Sequence, residues 1–176
     1  MENPMQRPAT PPGPGAPGPM DVERIRRERQ LREQKERQSL GRGLIGGIVG
    51  ATVGAVLWAI ITGVTGYQIG WMAVGVGFLT GYGVRTLGRG IEPSFGYVGA
   101  FLSLLGCVAG NLLAVCIMFS QRRGVSLLEV LSRLDLDMAL ALLKITFHPL
   151  DLLFYGIGIY EGYKFSFAPP TDEGGA

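Results

Sequence analysis

Three runs along this chain contain no charged residue: GLIGGIVGATVGAVLWAIITGVTG from Gly43, YQIGWMAVGVGFLTGYGV from Tyr67 and FGYVGAFLSLLGCVAGNLLAVCIMF from Phe95. A bilayer core of about 30 Å is crossed by about 20 apolar residues at a helical rise near 1.5 Å. The pattern therefore predicts an all-α membrane protein with three glycine-rich transmembrane helices, over residues 43–65, 67–84 and 95–119 of a bundle spanning 41–120. The first run begins far into the chain and is as long as a full span, so it reads as a span and not as a secretory leader.

Ahead of this bundle the pattern changes twice. Residues 1–19 hold most of the eleven prolines in a Pro/Gly/Ala mixture that can bury little, which predicts a disordered arm. Residues 20–40 carry DVERIRRERQLREQKERQ, free of Gly and Pro and rich in helix formers, with Asp21 placed to cap. Glu23 and Arg27, Glu28 and Arg32, and Glu33 and Arg37 stand four apart in the favourable order. Val22, Ile25 and Leu31 are too few for a sustained coiled-coil seam, so a solvated cytoplasmic helix is expected, meeting anionic headgroups near Gly41.

Behind the bundle, residues 121–167 are apolar but interrupted by charge. Ser126 and Glu129 have capping-box spacing, Leu127, Leu128, Leu131 and Leu134 share a helical face, a second helix is expected from after Asp137 to about Phe147, and Pro149 opens a third. Were residues 139–160 a fourth crossing, Lys144, His148 and Asp151 would lie in or near hydrocarbon, each ionised group costing about 2.5–3.5 kcal/mol. Amphipathic helices on the membrane surface or folded against the bundle are expected instead. Phe154, Tyr155, Tyr160 and Tyr163 would set their polar tips at the interface, and residues 168–176 would form a disordered tail.

Orientation follows from Lys and Arg near the spans. The front end supplies Arg24, Arg26, Arg27, Arg29, Arg32, Lys35, Arg37 and Arg42, the first loop none, and the second Arg85 and Arg89, which predicts a cytoplasmic N-terminus. Arg122 and Arg123 dissent, lying on the outer side of a three-span arrangement.

Most of the 28 glycines fall between Gly41 and Gly110, at spacings that matter. Gly46, Gly50 and Gly54 repeat every four residues in the first span. Gly66, Gly70, Ala73, Gly77 and Gly81 share a face in the second, and Gly99, Ser103, Gly106, Gly110 and Ala114 in the third. Small residues at this interval let backbones approach, and in lipid it is dispersion contact that holds helices together. The candidate packing residues are Gly46, Gly50, Gly54, Gly77, Gly81, Gly106 and Gly110. They serve either a compact monomer or, through the first stripe, a homo-oligomer or a membrane-protein partner. Asn111 is the one strongly polar residue at depth and reads as a hydrogen-bonded contact between helices.

Charge and reactive groups narrow the function. Net charge is only +2 and the excess of arginine in the front helix is small, which argues against nucleic acid. Cys107 and Cys116 sit nine apart on roughly opposite sides of one helix and cannot bridge within it. The sole histidine, His148, lacks partners at ligand spacing, Asp135 and Asp137 read as solvated caps, and GVGFLTG lacks the Lys-Ser/Thr ending of a phosphate loop. No catalytic group, cofactor or metal site is expected. The leading expectation is a structural, scaffold or accessory-subunit protein; the alternative is an oligomeric channel or transporter subunit with Asn111 and threonine hydroxyls lining its path.

The segments Gly70–Phe78, Gly81–Arg85, Leu104–Cys107 and Gly110–Leu112, with Asp151–Gly156 and Tyr160–Tyr163, resemble a group of small bacterial multi-pass membrane proteins to which no activity is assigned. The resemblance covers roughly Gly43 to Phe167. It implies a bacterial inner-membrane location and confers no activity or site residues.

Overall fold

The computed structural model describes residues 18–67, 70–146 and 149–168, and every regular element among them is helical. The expected arm and tail, apart from their residues nearest the helices, lie outside the described residues, as do Gln68 and His148. Two compact units divide the chain, one up to Glu36 and the other from Arg37 onward.

The first unit contributes α1, Pro19–Arg37, a charged helix exposed along nearly its whole length. Asp21 lies in its first turn and accepts from the Gly18 amide at 3.3 Å. Arg24 stands 3.9 Å from Asp21 and 4.0 Å from Glu28. At such exposure these pairs contribute well under about 1 kcal/mol each.

The second unit is built around α2 (Leu40–Thr65), α3 (Met72–Gly88), α4 (Pro93–Arg123) and α7 (Pro149–Lys164), with the short α5 (Leu127–Ser132) and α6 (Leu136–Thr146) between the last two. Two helices, α2 with 26 residues and α4 with 31, are long and apolar enough to cross a membrane. At 1.5 Å per residue they measure roughly 39 and 46 Å, so α4 outruns a hydrocarbon core of about 30 Å. The second expected span falls on α3, which is not among the described helices long and apolar enough to cross a membrane. It starts at Met72, not Tyr67, and ends at Gly88 after 17 residues. The cause is local: Gly66 adopts φ +70° and caps α2 through a hydrogen bond to Thr62 O, so Gly66 and Gly70 belong to a connection and not to the stripe of α3.

In the C-terminal region, α7 is folded against the bundle, one of the two placements expected of it. It packs along both α3 and α4, while α2 packs on the other side of the same pair, giving a four-helix bundle in which α3 and α4 are central. Contacts fix the directions. Gly43 meets Gly88 and Gly54 meets Val76, so α2 and α3 are antiparallel; Gly96 meets Tyr163 and Ser103 bonds Gly158, so α4 and α7 are antiparallel as well. Helix α7 therefore ends where α2 begins. The α3–α4 loop ties both: Ser39 N donates to Gly88 O at 3.0 Å, Ile91 N to Gln38 Oε1 at 3.3 Å, and Ala168 N to Gly90 O at 2.8 Å.

At the opposite end, Ser126 caps α5 by accepting from Glu129 N, as the spacing predicts, and Asp135 accepts from Met138 N at 2.7 Å. Helix α6 leans on α4, has no buried residue, and diverges from α7 by 107°.

Candidate functional site

The interior of the bundle is organised as seams of small residues, and each predicted glycine has a defined neighbour. A methyl group added to Gly46 would collide with the carbonyl oxygen of Gly83, and one added to Gly83 with that of Gly46. Gly50 faces Leu79 O in the same way, and a Cβ on Gly54 would stand 3.0 Å from Val76 Cα. The Gly46/Gly50/Gly54 stripe is thus occupied by α3 within one chain. An oligomer through this face would require α3 to leave.

Helix α3 presents its second stripe to α7. Gly77 meets Gly158 O, and a Cβ on Gly81 would lie 2.9 Å from both Gly162 O and Phe165 Cβ. On α4, Gly106 admits Val76 and Ala51, while Gly110 lies under the Trp58 ring and Ala55. Backbones this close permit Cα–H···O contacts worth about 0.5–1 kcal/mol each, and carbonyls and ring faces fill the space that side chains would otherwise take.

A row of polar groups follows one face of α4. Ser103 Oγ donates to Gly158 O at 2.8 Å, Cys107 Sγ lies 3.7 Å from Ala73 O, and Asn111, 1% exposed, is hydrogen-bonded to the Tyr155 side chain. Tyr155 OH also lies 3.4 Å from Cys107 O. Tyr155 is buried, against the expectation that its tip sits at the interface, because its hydroxyl finds Asn111 and a helix carbonyl inside the bundle. Around this row Trp58, Ala73, Val76, Cys107, Ala114 and Tyr155 form one apolar cluster. Cys107 and Cys116 are both free and buried.

Comparisons with family models, with curated proteins and with solved structures give no match.

Three partners were missed from sequence: Gly83, Gly158 and Gly162. The spacing of Gly158 and Gly162 is the same four-residue interval that marks α2, and it carried the signal. Asp151, Glu161 and Lys164 masked it, yet these charges sit in the end turns of α7 and leave its middle uncharged.

Proposed function

We propose that this chain is a small integral membrane protein of structural type, a scaffold or accessory subunit of a bacterial inner membrane, without an enzymatic activity of its own. The observation that carries the reading is the use made of its intramembrane polar and small residues. Gly46 and Gly83 interlock, Ser103 bonds Gly158, and Asn111 bonds Tyr155, so the groups that could serve transport or chemistry are spent on holding helices together. The channel alternative needs Asn111 on a water-filled path; a side chain 1% exposed and held by Tyr155 supports packing instead.

In this reading α3 and α7 cross together with α2 and α4, making four passages. Helices of 17 and 16 residues, roughly 25 and 24 Å, cover most of a hydrocarbon core when flanked by longer neighbours. The end carrying Arg37, Arg42, Arg85, Arg89 and Lys164 faces the cytoplasm, in accord with the run of arginines before α2. The exposed charged helix α1 then meets partners on that side.

Purified full-length protein in sealed liposomes tests the functional part. Ion and small-solute flux at the level of empty vesicles is expected. Flux well above that level, abolished by Asn111→Leu, would replace the scaffold reading with the channel.

A further inference from the structure

A cleft of about 340 Å³ opens where α6 leans on the end of α4, lined by Val115, Met118, Phe119, Arg122, Ile145 and Thr146. Its walls are apolar, since Thr146 directs its hydroxyl to Leu142 O at 2.8 Å. Its rim is cationic. Arg122 is exposed there, and the guanidinium of Arg123 lies 5.4 Å from the centre of the Phe119 ring.

Of the carboxylates on α5 and at the start of α6, Glu129 is paired with Arg133 at 2.9 Å, Asp135 caps α6, and Asp137 lies in the first turn of α6, at the other end of that helix from Ile145 and Thr146. Among the described residues no carboxylate is paired with Arg122.

The uncharged run of α4 ends at Ser120 and Gln121, so Arg122 sits one short step beyond the apolar helix, at the level where headgroups begin. An apolar slot descending from an uncompensated cation at that level has the form of a phospholipid: an acyl chain against Met118 and Phe119, and a phosphate at Arg122. Two neighbouring arginines, neither paired with a carboxylate among the described residues, favour a lipid of net negative charge over a zwitterionic one.

We infer that the α4–α6 cleft binds one anionic phospholipid, with Arg122 holding its headgroup phosphate and the Val115–Met118–Phe119 face holding an acyl chain. The inference rests on the reading that α4 spans the bilayer.

The test uses the full-length chain in a non-ionic detergent, titrated with dioctanoyl phosphatidylglycerol or dioctanoyl phosphatidylcholine and followed by thermal melting. Phosphatidylglycerol is expected to raise the melting temperature at concentrations where phosphatidylcholine does not. Arg122→Gln, at an exposed position, should melt normally without lipid and lose roughly fivefold in apparent affinity for phosphatidylglycerol. Met118→Trp, which fills the slot, should lose as much, whereas Arg42→Gln at the other end of the bundle should titrate as the parent does. Equal responses to the two lipids, or an Arg122→Gln titration matching the parent, would overturn the inference while leaving the spanning reading intact. A chain that stays folded and dispersed without detergent would overturn both.

Discussion

Gly46 and Gly83 face each other reciprocally, each occupying the space that a methyl group on the other would need, with the opposing carbonyl oxygen as the obstacle. Neither atom can move without shifting a helix, because both belong to backbone. Gly83→Ala should therefore lower stability by about 1–3 kcal/mol, the usual range for overpacking, and Gly46→Leu by more. Gly75→Ala is the matched control. It lies on the same helix, nothing stands within 4 Å of its added Cβ, and the gain in helix propensity should leave melting unchanged or slightly raised. Thermal unfolding in detergent reads all three. Equal effects at Gly83 and Gly75 would show that the α2–α3 seam is not as close as described.

The α3–α4 loop holds both the entry to α2 and the exit from α7, through Gly88 O, Ile91 N and Gly90 O. Cysteines introduced singly at Ser39, Arg89 and Ala168 should thus react with an impermeant thiol reagent from one side of the membrane. Cysteines at Gly66 and Gly124 should react from the other. The native Cys107 and Cys116 are buried and give little background. A chain with three crossings would instead put Ala168 on the side of Gly124, and that labelling pattern would remove α7 from the bundle.

What the residues disclosed, and what they concealed, has a physical basis. Helices α2 and α4 are legible because an uncharged run longer than a bilayer is thick has few other uses, and the small-residue intervals lie where neighbouring helices come close. The limits of α3 are not, since Gly66 ends α2 by adopting a left-handed conformation that apolar periodicity does not register. Pro149 marks the start of α7, but a charge count over residues 139–160 conceals its seam with α3 and α4. Residues 139–160 straddle Pro149 and collect Lys144 and Asp151, whereas Pro149–Lys164 alone keeps its charges at its ends and carries Gly158 and Gly162 in register with α3 and α4. The amphipathic character of Tyr155 alone places it at the interface. Only the placement of Asn111 one helix away, together with Cys107 O, makes its burial favourable.

Asn111 and Tyr155 should behave as a coupled pair. Asn111→Leu and Tyr155→Phe each remove the hydrogen bond between these side chains inside the bundle, and each should destabilise by about 1–2 kcal/mol. The double variant should cost less than the sum, with a coupling energy of about 0.5–1.5 kcal/mol in a double-mutant cycle. Strict additivity would mean that the two side chains do not share a hydrogen bond in the folded protein. Ser103→Ala provides the scale for a single interhelical bond, at about 0.6–1 kcal/mol through loss of Gly158 O as acceptor.

Thr62 presents the opposite situation. It is fully buried on α2, one turn from Trp58, and among the described residues Thr62 Oγ1 and Trp58 Nε1 have no hydrogen-bond partner. A buried hydroxyl without a partner forgoes its hydration and receives nothing in exchange, a cost of about 1–3 kcal/mol. Valine has nearly the same shape and replaces the hydroxyl with a methyl group, so Thr62→Val should raise stability by about 1 kcal/mol. Thr80 offers the comparison, because it is equally buried but donates to Val76 O at 2.7 Å. Thr80→Val removes a bond already made within its own helix, and should yield a smaller gain or none. Melting temperatures of the two variants, measured side by side in one detergent, decide the matter. If Thr62→Val is the less stable of the two, the hydroxyl has a partner in the folded protein and the surroundings of Thr62 are wetter than its full burial implies.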